Sequence, residues 1–157
     1  MCFVDYEKAF DTVKHDKLIE IPTSIGIQDK ELRCIKNPYW DQTAQLDACG
    51  EETDEINISR GVRQGCILSP LLFNGYSETI FQEILQGENI GINVNGKFIN
   101  NIKYADDTTI VAGSISDLQN LMEKLAFISE IYGLKINMKM TKYEVISKKE
   151  TPIRTQL

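Results

Sequence analysis

Histidine is nearly missing from this 157-residue chain, and its four cysteines are scattered. His15 stands alone, and Cys2, Cys34, Cys49 and Cys66 form no Cys-x-x-Cys pair. A structural zinc site therefore lacks its ligand set. Reduced thiols in an intracellular protein are the expected reading, with nucleus and cytoplasm not distinguished. No apolar run approaches the roughly 18 residues that a membrane-spanning helix requires. The start Met1-Cys2-Phe3-Val4-Asp5 has no basic stretch ahead of an apolar core, so no secretory signal and no membrane partner are expected. Positive charge is scarce too. The net charge of −6 argues against a freestanding nucleic-acid binder, whose phosphate contacts need a basic surface.

The charge that is there is unevenly spread. Residues 1–132 hold 11 Lys and Arg against 21 Asp and Glu, whereas 133–157 hold 6 against 2. Asp47, Glu51, Glu52, Asp54 and Glu55 crowd into one stretch that reads as a solvated loop. With 42% hydrophobic and 25% charged residues, the chain suits one globular domain over 1–157 with its own core. No repeat or low-complexity linker divides it.

Residues 2–6 read as a buried strand. A helix should open near Asp16 as N-cap and be cut by Pro22, which lacks the N–H and clashes with the preceding turn. A second helix over Lys30–Lys36 should end by Asn37, ahead of Pro38. Ile56–Arg60 alternates like a strand. Gly61 to Gly65 is a polar loop, after which Ser69 as cap and Pro70 at the first turn should open a helix to about Gln86, closed by Gly87. Asn95-Gly96 between Ile90–Val94 and Phe98–Ile102 signals a hairpin. Ser116-Asp117-Leu118-Gln119 has capping-box form. Leu118, Leu121, Met122, Leu125, Ile128 and Tyr132 then recur at helical spacing up to Gly133, and Tyr143–Ile146 is a last strand. The sum is an α+β fold: antiparallel strands with helices mainly on one face.

Two acidic features stand out. Tyr104-Ala105-Asp106-Asp107 sits between β-branched runs, at the tip of an expected hairpin. Like charges crowded there raise each other's pKa unless a cation neutralises them. Asp5 stands in a similar strand setting about a hundred residues earlier. Alone, Asp5 could be an end cap or a surface group, and Asp106-Asp107 a plain turn. Together they suggest a divalent-metal centre of the kind that magnesium forms with carboxylates and substrate phosphates.

Phe3-Val4-Asp5-Tyr6-Glu7-Lys8-Ala9-Phe10-Asp11 resembles the first palm motif of reverse transcriptases from non-LTR (LINE-like) retrotransposons. The stretch from Arg60-Gly61-Val62-Arg63-Gln64-Gly65-Cys66 to Leu72-Phe73-Asn74 is similar to their second motif, and Tyr104-Ala105-Asp106-Asp107 to their third. Gly133-Leu134-Lys135-Ile136-Asn137, continuing to Thr141-Lys142, resembles the fourth. The resemblance covers nearly the whole chain and implies a polymerase palm. It implies RNA-directed DNA synthesis, with dNTPs joined to a primer 3′-OH on an RNA template by two Mg2+ ions, for which Mn2+ could substitute.

By that resemblance Asp5 and Asp106 ligate both ions, the backbone carbonyl of Tyr6 adds a ligand, and Asp107 completes the cluster. Phe10 is the steric gate against a ribose 2′-OH, or else simply core. Gln64 and Gly65 lie against the nascent base pair and template, Arg63 contacts a phosphate or is solvated, and Lys142 donates a proton to pyrophosphate or is solvated. Where relatives carry Lys-Thr-Lys this chain has Met140-Thr141-Lys142. Pro22 and Pro38 interrupt segments that are helical in relatives, and Lys14 replaces an acid. Fingers would precede Met1 and a thumb would follow Leu157, so the isolated palm is expected to bind metal weakly and extend no primer. The rival expectation is an inactive or domesticated fragment acting at most as an interaction module. A group II intron maturase, which also carries the YADD tetrad, ranks lower because Arg63-Gln64-Gly65-Cys66 is closer to the LINE type.

Overall fold

The structure is a computed structural model that describes residues 1–48, 51–86 and 90–147. In chain order the elements are β1 (Cys2–Val4), α1 (Ala9–Thr12), α2 (His15–Ser24), α3 (Asp29–Lys36), β2 (Gln42–Ala44), β3 (Asp47–Ala48), β4 (Glu51–Glu52) and β5 (Ile56–Ile58). There follow α4 (Leu68–Leu85), β6 (Ile92–Val94), β7 (Lys97–Ile99), β8 (Asn101–Tyr104), β9 (Asp107–Ile110), α5 (Ile115–Ile131) and β10 (Lys142–Tyr143). They fall into two compact units, Met1–Ala9 with Ser77–Leu157, and Phe10–Tyr76, so the chain passes from one to the other within α1 and back within α4.

The first unit is built on a four-stranded antiparallel sheet in the order β10-β1-β9-β8. Side chains alternate between faces along a strand, and burial follows that rule. Cys2 and Val4 are buried beside Ile110 and Thr108, their partners in register, whereas Phe3 between them is exposed. The buried face carries the helices. Leu118, Leu121 and Leu125 of α5 are buried, and the Tyr6 hydroxyl lies 3.4 Å from Ser129 Oγ of the same helix. From α4, Phe81 and Glu78 meet Lys103 of β8, and Glu83 accepts a hydrogen bond from the Tyr132 hydroxyl. Among the described residues the other face is the open one, with Phe3 and Lys142 exposed.

Helix α5 starts one serine earlier than expected. Ser114, not Ser116, is the N-cap: its Oγ accepts from the Asp117 N–H at 3.1 Å and donates to the Asp117 carboxylate at 2.7 Å. Asp117 thus stands where Gln119 was expected, but its carboxylate accepts from the Ser114 hydroxyl and not from the cap's backbone N–H as in a capping box. Gly133, at φ +81°, ends the helix in the left-handed conformation as expected. The Asn95-Gly96 hairpin forms, with both turn residues at positive φ, as a type I′ turn requires. It makes a separate two-stranded sheet, however, because the expected strand Phe98–Ile102 breaks at Asn100, whose carbonyl accepts from the Val111 N–H at 2.8 Å. The last strand is Lys142–Tyr143, not Tyr143–Ile146.

In the second unit β2 pairs with β5 and β3 with β4, both antiparallel. The acidic stretch expected as a loop thus holds a short ladder, and β2 had no signal strong enough to read. Helix α2 has no side-chain cap. Lys14 precedes it and forms an isolated bridge with Arg60, while the His15 N–H donates to the Ser59 carbonyl at 3.2 Å. Asp16 lies inside the first turn. Pro22 also lies inside the helix, which runs on to Ser24. The proline costs only the one bond to the Leu18 carbonyl, and the hydroxyls of Thr23 and Ser24 donate to the carbonyls of Ile19 and Ile21 at 3.2 and 2.8 Å. Helix α3 closes at Asn37 as expected. Helix α4 begins at Leu68, and Ser69 is no cap. Its buried hydroxyl donates to the Arg63 carbonyl at 2.6 Å and lies 3.1 Å from the Tyr39 hydroxyl. Gly87, the expected stop, lies outside the described residues. Among the described residues no helix is long and apolar enough to cross a membrane.

Candidate active site

The first unit brings together the first, third and fourth motifs. Asp5 follows directly on β1, and its backbone is held on both sides by the fourth motif. Its carbonyl accepts from the Asn137 N–H at 2.8 Å and its N–H donates to Thr141 Oγ1 at 3.3 Å. Tyr6 bridges to Ile136 one step on. The third motif is the β8–β9 hairpin itself. Tyr104 and Asp107 form its last pair, so Ala105 and Asp106 are the whole turn. Ala105 sits at φ +54°, a left-handed conformation that costs an L residue about 1–2 kcal/mol. Strain of this kind persists only where the surrounding structure over-determines it.

Register then relates the acids. Val4, the last residue of β1, pairs with Thr108, so the same register carried one step further would set Asp5 opposite Asp107. Alternation sets both on the open face with Phe3 and Thr109. Directly opposed side chains in an antiparallel pair stand about 5 Å apart at Cβ. Asp106 adjoins them in the turn. Lys142 pairs with Phe3 on the other flank of β1 and so shares that face. Asp5, Asp106, Asp107 and Lys142 are all exposed. None of these side chains forms an ion pair with a described residue.

Tyr6 turns its ring the other way, into the helix layer, so only its backbone is placed to serve the open face. Burial raises its phenol above the ordinary value of 10.0, with the Ser129 hydrogen bond acting in the opposite direction. A group whose pKa is raised on folding stabilises the fold below its unfolded pKa, and that stability is lost as pH rises through the folded value. The unfolding free energy is therefore expected to fall as pH rises past about 10, with a shallower fall in Tyr6→Phe. Urea titrations at stepped alkaline pH measure both slopes.

Among the described residues no group of three or more His, Cys, Asp and Glu is gathered closely enough to cage a metal ion. The donors there are nonetheless of the right kind for a hard cation, being carboxylate oxygens that form no ion pair with a described residue. Magnesium commonly keeps its waters and binds through one or two carboxylates plus substrate phosphates. The residues fit an ion of that type and do not fit an all-protein cage.

The second unit carries the other expected site residues. The Phe10 ring is half-buried and stacks on Phe73, with centroids 4.5 Å apart and planes at 27°. Val62 N–H donates to the Phe10 carbonyl at 2.8 Å, which ties the end of the first motif to the start of the second. Gly61 makes that approach possible: at φ +91°, a Cβ there would stand 3.2 Å from the Asp11 carbonyl oxygen. Arg63, Gln64 and Gly65 are exposed. Gly65 takes φ +82° with nothing within 4 Å of a would-be Cβ, so its need for glycine is conformational. The Cys66 thiol is held below its ordinary value of 9.0 by the backbone N–H of Leu68 and then that of Ser69, where α4 begins. A cleft of about 540 Å³ in this unit, floored by His15, Tyr39 and Gln42, includes none of the expected site residues.

Thr141, Asn137 and Lys103 carried no expected role of their own. Thr141 and Asn137 lay within the fourth-motif resemblance, but their bonds to Asp5 span more than 130 residues and leave no local signal.

The family model for reverse transcriptase (RNA-dependent DNA polymerase) matches residues 1–154. A retrovirus-related Pol polyprotein from the type-2 retrotransposable element R2DM of Drosophila melanogaster is 30% identical over 139 residues, which cover 87% of this chain and 13% of that protein. A Pol polyprotein from the type-1 retrotransposable element R2 of Popillia japonica is 28% identical over 137 residues, covering 87% and 19%. The chain thus spans less than a quarter of these relatives. A telomerase of Candida tropicalis solved with a TWJ fragment of telomeric RNA matches with a TM-score of 0.67 at 13% identity, over 90% of this chain and 25% of that one. An apo form of telomerase from the same organism, truncated from its C-terminal domain, gives 0.66 at 16% identity, over 96% and 31%. At such identities these two structures speak for the fold, a polymerase palm. The chain belongs to the reverse transcriptase family, in the branch of the non-LTR retrotransposons.

Proposed function

We propose that this chain is the palm of an RNA-directed DNA polymerase that joins dNTPs to a DNA primer on an RNA template. The observation that carries this reading is that Asp5 directly follows β1 and Asp107 opens β9, two strands paired antiparallel with Val4 opposite Thr108, with Asp106 in the adjoining turn and all three acids exposed. Asp5, Asp106, Asp107 and the Tyr6 carbonyl would hold two Mg2+ ions, or Mn2+ in their place, together with substrate phosphates and water. When bound, the metal supplies Lewis-acid stabilisation of the triphosphate and lowers the pKa of the attacking hydroxyl.

The chain's own residues do the rest. Lys142, one strand over from Asp5 on the same face, donates a proton to the departing pyrophosphate. The Phe10 ring excludes a ribose 2′-OH by bulk, which selects dNTPs. Its stack on Phe73 keeps the ring from yielding. Gln64 and Gly65 border the nascent pair and template, where left-handed Gly65 lets the backbone come close. Arg63 suits the fork geometry of a phosphate.

Primer extension on an RNA template tests this, using the chain alone and the chain joined to the finger and thumb segments of a reverse transcriptase, each beside Asp106→Asn. The chain alone is expected to bind Mn2+ weakly and extend nothing. The joined protein should extend the primer and lose this on Asp106→Asn. Extension that survives the substitution overturns the proposal.

A further inference from the structure

Lys103 occupies the position of β8 just before the third motif, and it does not face solvent. Its side chain is 16% exposed. Register pairs it with Thr108, whose hydroxyl is buried with no hydrogen-bond partner. Lys103 therefore projects into the helix layer, where an ammonium group is costly unless paired. There its Nζ meets the Glu78 carboxylate at 2.5 Å and stands 4.6 Å from the centroid of the Phe81 ring. Glu78 and Phe81 are three residues apart on α4 and so share one face of that helix. An ion pair and a cation–π contact thus fasten β8 to α4 from behind the sheet. Only Tyr104, 84% exposed, separates this anchor from the left-handed Ala105 and the turn aspartate.

We propose that Lys103 is a positioning residue. Its attachment to Glu78 and Phe81 fixes the β8–β9 hairpin in the setting where Asp106 and Asp107 share a cation with Asp5. The inference rests on the polymerase reading given above. Lys103 touches neither metal nor substrate, and it acts through the hairpin. A strained two-residue turn has a lower-energy alternative unless both of its strands are held. β9 is held by β1, whereas β8 lies at the sheet edge with β9 as its one strand neighbour.

The test is Mn2+ binding to the 157-residue chain, read by water proton relaxation, with thermal unfolding of every variant. The variants are Lys103→Met, Lys103→Arg, Glu78→Gln and Asp106→Asn. Lys103→Met keeps the apolar stem and removes the charge. It and Glu78→Gln are expected to weaken Mn2+ binding by about tenfold or more, the usual scale for groups that orient a metal's ligands. Lys103→Arg should recover most of that loss. A merely structural lysine would lower the unfolding temperature and leave Mn2+ affinity unchanged. Glu78 is more than half exposed, so Glu78→Gln decides the matter if Lys103→Met does not fold. Wild-type affinity in Glu78→Gln, with binding lost in Asp106→Asn, overturns the positioning role and leaves the polymerase reading intact. Wild-type affinity in Asp106→Asn overturns that reading, and the inference falls with it.

Discussion

Asp106→Asn is expected to lower RNA-templated primer extension by about a thousandfold, in the chain joined to fingers and thumb, without weakening the fold. Asparagine keeps the shape of the side chain and removes the charge that holds a cation against the triphosphate. Such cations supply several kcal/mol of transition-state stabilisation, and each tenfold in rate corresponds to about 1.4 kcal/mol. The fold should be indifferent for a separate reason. Asp106 is exposed and makes no ion pair with a described residue, so the substitution should change stability by less than about 0.5 kcal/mol. Any change should favour folding, because one of three neighbouring like charges is removed. Extension rates and urea midpoints on the same preparations check both halves. A variant that loses activity and stability together would place Asp106 in the scaffold and not in the chemistry.

Leu125→Ala should have the largest effect on stability, about 2–5 kcal/mol, through lost burial and the cavity left behind. Leu125 has no exposed surface, whereas Phe127, two residues on in the same helix, is 66% exposed. Phe127→Ala removes a larger side chain and should cost less than about 1 kcal/mol, because most of it is already in water. Urea unfolding of the pair, at unchanged m-value, measures the difference. If Phe127→Ala proved the costlier, α5 would pack on the sheet by another face, and the support beneath Tyr6 and Ser129 would be misdrawn.

What the sequence showed clearly was whatever one segment encodes by itself. The apolar stripe of α5, its stop at Gly133, the turn at Asn95-Gly96 and the strand before Asp5 all follow from periodicity, or from residues that alone tolerate a conformation. Boundaries settled by distant partners were missed. Ser69 looks like a cap, yet its hydroxyl goes to Arg63 and meets Tyr39. Pro22 should stop a helix, yet it stands in the last turn of α2, where it removes a single bond and the helix ends two residues later at Ser24. Two serines compete to open α5, and the side chain of Asp117 settles the choice. β2 is visible only through its pairing with β5.

The site divides in the same way. Asp5, Asp106 and Asp107 stood out in the sequence because acids inside β-branched runs are out of place unless something cationic needs them. Their register was not readable, since it depends on which strands lie next to β1. Lys103 carried no signal of its own in the sequence. Only the side it faces, and the presence of Glu78 and Phe81 there, give it a part in the site.

The central claim is that the two carboxylate-bearing segments, more than a hundred residues apart in the chain, bind one and the same metal centre. Sub-stoichiometric Mn2+ added to the isotope-labelled chain, followed by amide NMR, tests it directly. The amide signals of Asp5 and Tyr6 should broaden together with those of Asp106 and Asp107, along one titration curve. Broadening of one segment without the other, or of the two with clearly different affinities, would contradict the account.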